Sequence, residues 1–140
     1  MISLTKDMEV GIFKIDSQHR ELIERLNAVT AMGAKSVSKE ETDKTFSLLS
    51  QYVAKHFGDE ENIMKQYGFP KIDWHKQQHK LYVQNIYNLK MEFDRNGPSA
   101  KFTLDLNNSI VSWIVRHIKS ADVELGKYLK SQKGFLGKSA

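Results

Sequence analysis

Apolar residues recur along the chain at alternating four- and three-residue intervals, the spacing that keeps side chains on one face of a helix. In the first stretch the stripe runs Ile15, His19, Leu22, Leu26, Val29, and in the second Leu49, Val53, His56, Glu60, Ile63. The third runs Ile72, His75, His79, Tyr82, Ile86, Leu89, Phe93, and the fourth Leu106, Ile110, Trp113, His117. Breaks part the stripes. Pro70 and Pro98, the two prolines, follow Tyr67-Gly68-Phe69 and Asn96-Gly97, and both read as helix ends. A third break covers Gly33 to Ser38, where Ser38-Lys39-Glu40-Glu41 has the pattern of a capping box. The helices expected are roughly 17–32, 39–66, 72–95 and 100–130. Short connections between four amphipathic helices predict an all-α, up-down-up-down four-helix bundle, with residues 1–140 forming a single domain.

Polar residues interrupt these stripes, and they carry the chemistry. All five histidines and Glu60 fall on inward positions. If a stripe covers three positions in seven, chance places five histidines there about 1–2% of the time. Each alone has an ordinary explanation: His19 or His117 as a hydrogen-bonded core histidine, His75/His79 or His56/Glu60 as an i,i+4 surface pair. Together they leave many buried polar groups in need of partners, each costing about 1–3 kcal/mol if unsatisfied. A metal site in the bundle core satisfies all of them at once.

Asp122 is the last candidate. Five residues turn an ideal helix through about 500°, which leaves Asp122 about 140° from His117. Either Asp122 faces water and Ala121 faces inward, or the helix absorbs one extra residue. The stripe favours the second, since Asp122, Leu125 and Leu129 keep a phase displaced by one residue, and a π-type turn supplies that displacement.

Imidazole and carboxylate without thiolate suit iron, zinc, copper or manganese, and the chain has no cysteine. Seven ligands exceed what one ion takes. Two octahedral ions sharing Glu60, Asp122 and one solvent oxygen would fill about eleven of twelve positions, leaving one open for a small molecule. The set differs from ferritin-like sites, which use four glutamates and two histidines built around Glu-x-x-His motifs; no Glu-x-x-His occurs here. Ile114, Ile63, Phe57 and Trp113 lie within a turn of ligand positions. They are expected to wall the pocket at that open position with dry apolar surface.

The chain resembles the bacterial haemerythrins. The likeness rests on Val10-Gly11-Ile12, Ile15-Asp16, Gln18-His19, His56-Phe57, Glu60-Glu61, Met64, Tyr67-Gly68-Phe69-Pro70, His75 with His79, Trp113, His117-Ile118 and Asp122, over about residues 10 to 129. It departs at Leu4, where a tryptophan is frequent, and at Leu125, where an aromatic is frequent. The resemblance implies a cofactor of two Fe ions with a bridging oxo or hydroxo group. It implies His75, His79 and His117 on the coordinatively full iron, His19 and His56 on the open one, and Glu60 and Asp122 as bridges. The implied function is reversible dioxygen binding, with the walled pocket as the oxygen pocket, for storage, delivery or sensing, by a protein that is not an enzyme. The competing reading is a di-iron enzyme reducing peroxide, dioxygen or nitric oxide.

Composition narrows partners and setting. The 21 Lys and Arg are offset by 17 Asp and Glu and are mixed along the helices, which reads as solvated surface rather than a nucleic-acid interface. The nearest basic stripe is Lys127, Lys130, Lys133 and Lys138. No stretch reads as a membrane span, and Lys6, Asp7 and Glu9 interrupt any signal-peptide core. A cytoplasmic protein is expected. No donor site for electrons and no signalling segment is legible, so any redox or signalling partner goes unidentified by sequence.

Overall fold

Asp16 sets where the first helix begins. Its carboxylate accepts the backbone N–H of Val10 at 2.8 Å and of Gly11 at 3.1 Å, so amides ahead of the helix find a partner inside its first turn. Gly11 supplies the left-handed turn, with φ of 83°. The helix therefore starts four residues earlier than the start expected near residue 17. In the computed structural model, which describes residues 2–32, 38–132 and 135, α1 is Phe13–Met32, α2 Lys39–Gln66 and α3 Ile72–Asn96. Residues 100–130 form one continuous helical run, α4. A single 3-10 turn, Lys6–Met8, precedes α1.

The other ends follow the expected chemistry. Ser38 caps α2 by accepting the Glu41 N–H at 3.0 Å, and Ser99 caps α4 by accepting that of Phe102 at 3.0 Å. Gly68 and Gly97, with φ of 63° and 69°, end α2 and α3. Residues 33–37 of the first expected break, and Lys133 and Lys138 of the basic stripe, lie outside the described residues.

Cross-helix contacts fix the topology. Gln18 reaches Asp59, His79 reaches Glu61 and Phe46 meets Phe93, while Phe93 meets Phe102 and Tyr82 reaches Ile110. Low numbers pair with high ones at every step, so the four helices run up, down, up and down. Among the described residues no helix is long and apolar enough to cross a membrane.

The fourth helix departs from the simple stripe. Its buried residues Phe102, Leu106, Ile110, Ile114 and Ile118 recur every four residues. In a regular α-helix that spacing drifts about 40° per step and soon leaves the core. Two π-helical segments, Leu106–Val111 and Ile118–Asp122, take up the drift. The second is the turn expected between His117 and Asp122, with Val123 N–H donating to Ile118 O five residues back. The first went unread in the sequence, and α3 side chains engage its carbonyls: Tyr82 OH donates to Ile110 O and Asn85 Nδ2 to Ser109 O, each at 3.1 Å. Because of it the core position near the site belongs to Ile114, and Trp113 is only partly buried. On α2 a similar correction holds: Met64 is buried where the stripe named Ile63, which is partly exposed.

The core is cut in two by a polar layer. The larger apolar cluster includes Leu22, Phe57, Tyr82 and Ile118, and the smaller includes Val10, Ile12, Ile15, Met64 and Leu125. Between them, helix by helix, lie His19, Glu60, His75 with His79, and Asp122.

Candidate metal centre

Each helix brings its polar residues to this layer by register alone. His56 and Glu60 are one turn apart on α2, as are His75 and His79 on α3, so each pair shares a face. The π segment brings Asp122 to the face of His117. All seven side chains expected as ligands converge here, none more than 4% exposed.

The carboxylates stand between two sets of imidazoles. Glu60 Oε1 lies 3.1 Å from His79 Nε2 and 3.6 Å from His75 Nε2, while Oε2 lies 3.3 Å from His56 Nε2 and 3.6 Å from His19 Nε2. Asp122 Oδ1 lies 3.0 Å from His75 Nε2 and 3.3 Å from His117 Nε2, and Oδ2 lies 3.0 Å from His19 Nε2. One oxygen of each carboxylate thus faces His75, His79 and His117, and the other faces His19 and His56. The donors form a group of five and a group of four that share Glu60 and Asp122.

These atoms are close without bonding to one another. The Nε2 atoms of all five histidines and both oxygens of Glu60 and of Asp122 are buried with no hydrogen-bond partner. So many orphaned polar atoms in one apolar core would be strongly destabilising, and native interiors avoid it. A cation between them removes the difficulty. Donors about 2.1 Å from a common ion and at right angles around it stand about 3.0 Å apart, which matches the shortest of these separations. The residues present fit a metal site.

Second contacts aim two of the rings. His56 Nδ1 donates to Gln18 Oε1 at 2.7 Å, an orientation fixed because Gln18 Nε2 donates to Asp59 Oδ2 at 2.7 Å. His79 Nδ1 donates to Glu61 Oε2 at 2.8 Å. With Nδ1 protonated, each Nε2 keeps its lone pair for the site. Gln18 and Glu61 were not read as functional. In the sequence they stand beside His19 and Glu60, within the motifs Gln18-His19 and Glu60-Glu61, and a bond to another helix cannot be seen from that.

Without an ion the site carries its own counter-charges. Burial opposes protonation of His19 and His75, but the Asp122 and Glu60 carboxylates outweigh it and raise both pKa values to about 9. Burial likewise opposes ionisation of Glu60 and Asp122, yet the surrounding histidines hold both well below the usual carboxylate range.

Of the four residues expected to wall the oxygen pocket, Phe57, Trp113 and Ile114 lie with the larger apolar cluster and Ile63 with the smaller. Phe57 stacks on His79, with ring centroids 3.8 Å apart and planes 3° from parallel, and Trp113 stacks on His117 at 5.0 Å and 12°. Both back the three-histidine group. Ile114 is buried in the larger cluster, while Ile63 packs against the smaller one across the polar layer.

A helical bundle whose core holds five histidines and two shared carboxylates defines a non-haem metal-binding protein. Residues 10–129 match the family described as "Hemerythrin HHE cation binding domain", and the chain belongs to the haemerythrin family. It is similar to proteins named Bacteriohemerythrin. That of Clostridium acetobutylicum is 28% identical, over 84% of this chain and 93% of its own. That of Campylobacter jejuni is 26% identical over 94% and 93%, and that of Stenotrophomonas maltophilia 25% over 89% and 79%. No solved structure matches the chain.

Proposed function

We propose that this chain holds two iron ions and binds dioxygen reversibly at one of them, for storage, delivery or sensing. The observation that carries the reading is the unequal division of donors, five against four about two shared carboxylates. With one solvent oxygen shared as well, the first group completes six positions and the second only five. His75, His79 and His117 would hold the full ion, His19 and His56 the one with room for a ligand, and Glu60 and Asp122 would bridge. When bound, the ferrous pair supplies that open position and two electrons to share with dioxygen.

The chain's own residues supply the rest. Five neutral imidazoles against two carboxylates leave the site less anionic than a four-carboxylate site, which favours the ferrous state and release over further oxidation. Gln18 and Glu61 fix two ring orientations. The apolar clusters on both sides withhold water and protons from the layer.

Elemental analysis of protein from iron-replete cells, with optical spectra through cycles of oxygenation and deoxygenation, tests this. About two irons per chain and a reversible colour change are expected. One zinc per chain would sink the di-iron reading, and irreversible bleaching on the first cycle would sink reversible binding.

A further inference from the structure

The sequence contains two tryptophans, and the fold brings both to one place. Trp74, on α3, is 46% exposed and meets the ring of His75 edge-on at 6.2 Å. Trp113, on α4, is partly buried and stacks on His117. Both line a surface depression of about 290 Å³, together with Gln78, Arg116, Ser120 and His117 itself. Two ligands of the three-histidine group are thus backed by indoles that open onto the same patch of surface. The group with room for a small molecule is the other one, on His19 and His56.

Packing alone does not account for this. An indole left nearly half exposed buries little apolar surface for its size, and a core can be sealed by aliphatic side chains, as it is around Ile114 and Leu125. What the arrangement does provide is a short path from solvent to the ligand rings, through the stack of Trp113 on His117 and the edge contact of Trp74 with His75. His117 forms part of the floor, so a donor seated here stands one indole or less from the metal ligands. Arg116 is exposed at the rim and forms none of the ion pairs among the described residues. Trp113 is itself stacked against Tyr82 at 4.7 Å as well as His117, so the depression offers the half-exposed ring of Trp74 for stacking and a cation for an anionic group.

We propose that this depression is where the metal site takes electrons, from a reduced flavin phosphate whose ring stacks on Trp74 and whose phosphate meets Arg116. Trp113 and His117 carry the electron inward. In each transfer the flavin loses one electron and releases one proton to solvent, and one ferric ion becomes ferrous. A second transfer reduces the other ion, and no bond to the protein forms or breaks. A site that has oxidised is thereby returned to its ligand-binding state on one face while the small ligand uses the other. The proposal rests on the di-iron reading above.

The test uses the full chain loaded with iron and held ferric, and flavin mononucleotide as the probe. Oxidised flavin is titrated in and its fluorescence quenching read; then reduced flavin is mixed in anaerobically and the loss of ferric absorption followed. Trp74→Ala is expected to weaken binding and slow the second-order reduction together, by about 3- to 10-fold. Arg116→Ala should do the same at low salt and little at high salt. Trp113→Phe should slow reduction by a larger factor than it weakens binding, because Trp113 lies between the flavin and His117. Phe13, 64% exposed at the start of α1, provides the control, and Phe13→Ala should change nothing. Iron content and the ferric spectrum are measured on every variant. If those are intact and neither Trp74→Ala nor Arg116→Ala alters binding or rate, the electron route is refuted while the di-iron reading stands. If the wild type carries no iron, the di-iron reading fails on its own measurement.

Discussion

Gly126 and Gly58 are both helix-interior glycines, and replacing each with alanine should move stability in opposite directions. An alanine Cβ at Gly58 would meet nothing within 4 Å, whereas at Gly126 it would lie 2.7 Å from Val10 O and 3.0 Å from Val10 Cβ. The helix-propensity gain of about 1 kcal/mol is common to both. At Gly126 it is opposed by overpacking, typically about 1–3 kcal/mol, and the arm of residues 2–12 that precedes α1 has little freedom to yield. Val10 N–H is held by Asp16, Gly11 sits at φ of 83°, and Val10 is only 3% exposed. Gly58→Ala should therefore stabilise by about 1 kcal/mol. Subtracting one variant from the other isolates the collision at about 1–3 kcal/mol, or about 4–12 °C in midpoint at about 4 °C per kcal/mol. Both are melted at equal protein and iron concentration, so that metal linkage contributes alike. Gly126 lies one turn beyond Asp122 on the same face, so displacing the arm also unseats the apolar cap of the site, and the oxygenated spectrum of Gly126→Ala should decay faster. A Gly126→Ala protein as stable as Gly58→Ala would show that the arm does not pack on α4 as described.

Other outcomes follow from the site. Glu60→Ala removes one oxygen from each donor group, and metal analysis should find one or both ions lost; two retained irons with an unchanged spectrum would remove Glu60 from the ligand set. Ile114, 1% exposed, should cost about 2–5 kcal/mol on truncation to alanine, and the added space should admit water and hasten autoxidation. Equal decay of the oxygenated spectra of wild type and Ile114→Ala would deny it a protective role. In metal-free protein, the raised pKa of about 9 at His19 and His75 stabilises the fold fully below pH 6.5, and this contribution is lost as pH rises through 9. The lowered carboxylates add stability above their ordinary range that is lost as pH falls, so denaturation midpoints should be highest near pH 5–6 and decline toward 9. Midpoints flat from pH 6 to 9 would contradict the charge pairing.

The six inward polar residues, five histidines and Glu60, and the helix count were legible because both follow from periodicity, which needs only the chain. Asp122 was legible for a subtler reason: the apolar residues after it keep their own phase, so the slip left a trace. The π segment at Leu106–Val111 left none, since Leu106, Ile110, Trp113 and His117 also fit an ordinary stripe. Only the packing of Ile114 and the bond from Tyr82 to Ile110 distinguish the two. The early start of α1 was hidden because Asp16 caps from inside the helix, whereas the sequence signal sought a cap ahead of it. Gln18, Glu61 and Gly126 depend on a neighbour from another helix or from the arm. One-dimensional spacing carries no record of that neighbour.

The polar layer also bears on how such a site can exist before metal arrives. Two carboxylates within a few ångströms of each other in a core would normally force one to take a proton, because like charges disfavour ionisation. Here His19 and His75 each stand 3.0 Å from an oxygen of Asp122, and the two carboxylates raise both imidazole pKa values to about 9, which favours protons on imidazole over protons on the carboxylates. Metal uptake then exchanges protons on imidazole for cations between the same atoms, and loading near pH 7.5 should release protons in proportion to the ions bound. The two apolar clusters hold the helices in register on either side of the exchange. That separates the work of folding from the work of binding: Leu22, Phe57, Tyr82 and Ile118 on one side, and Val10, Met64 and Leu125 on the other, fix the frame within which the polar side chains converge.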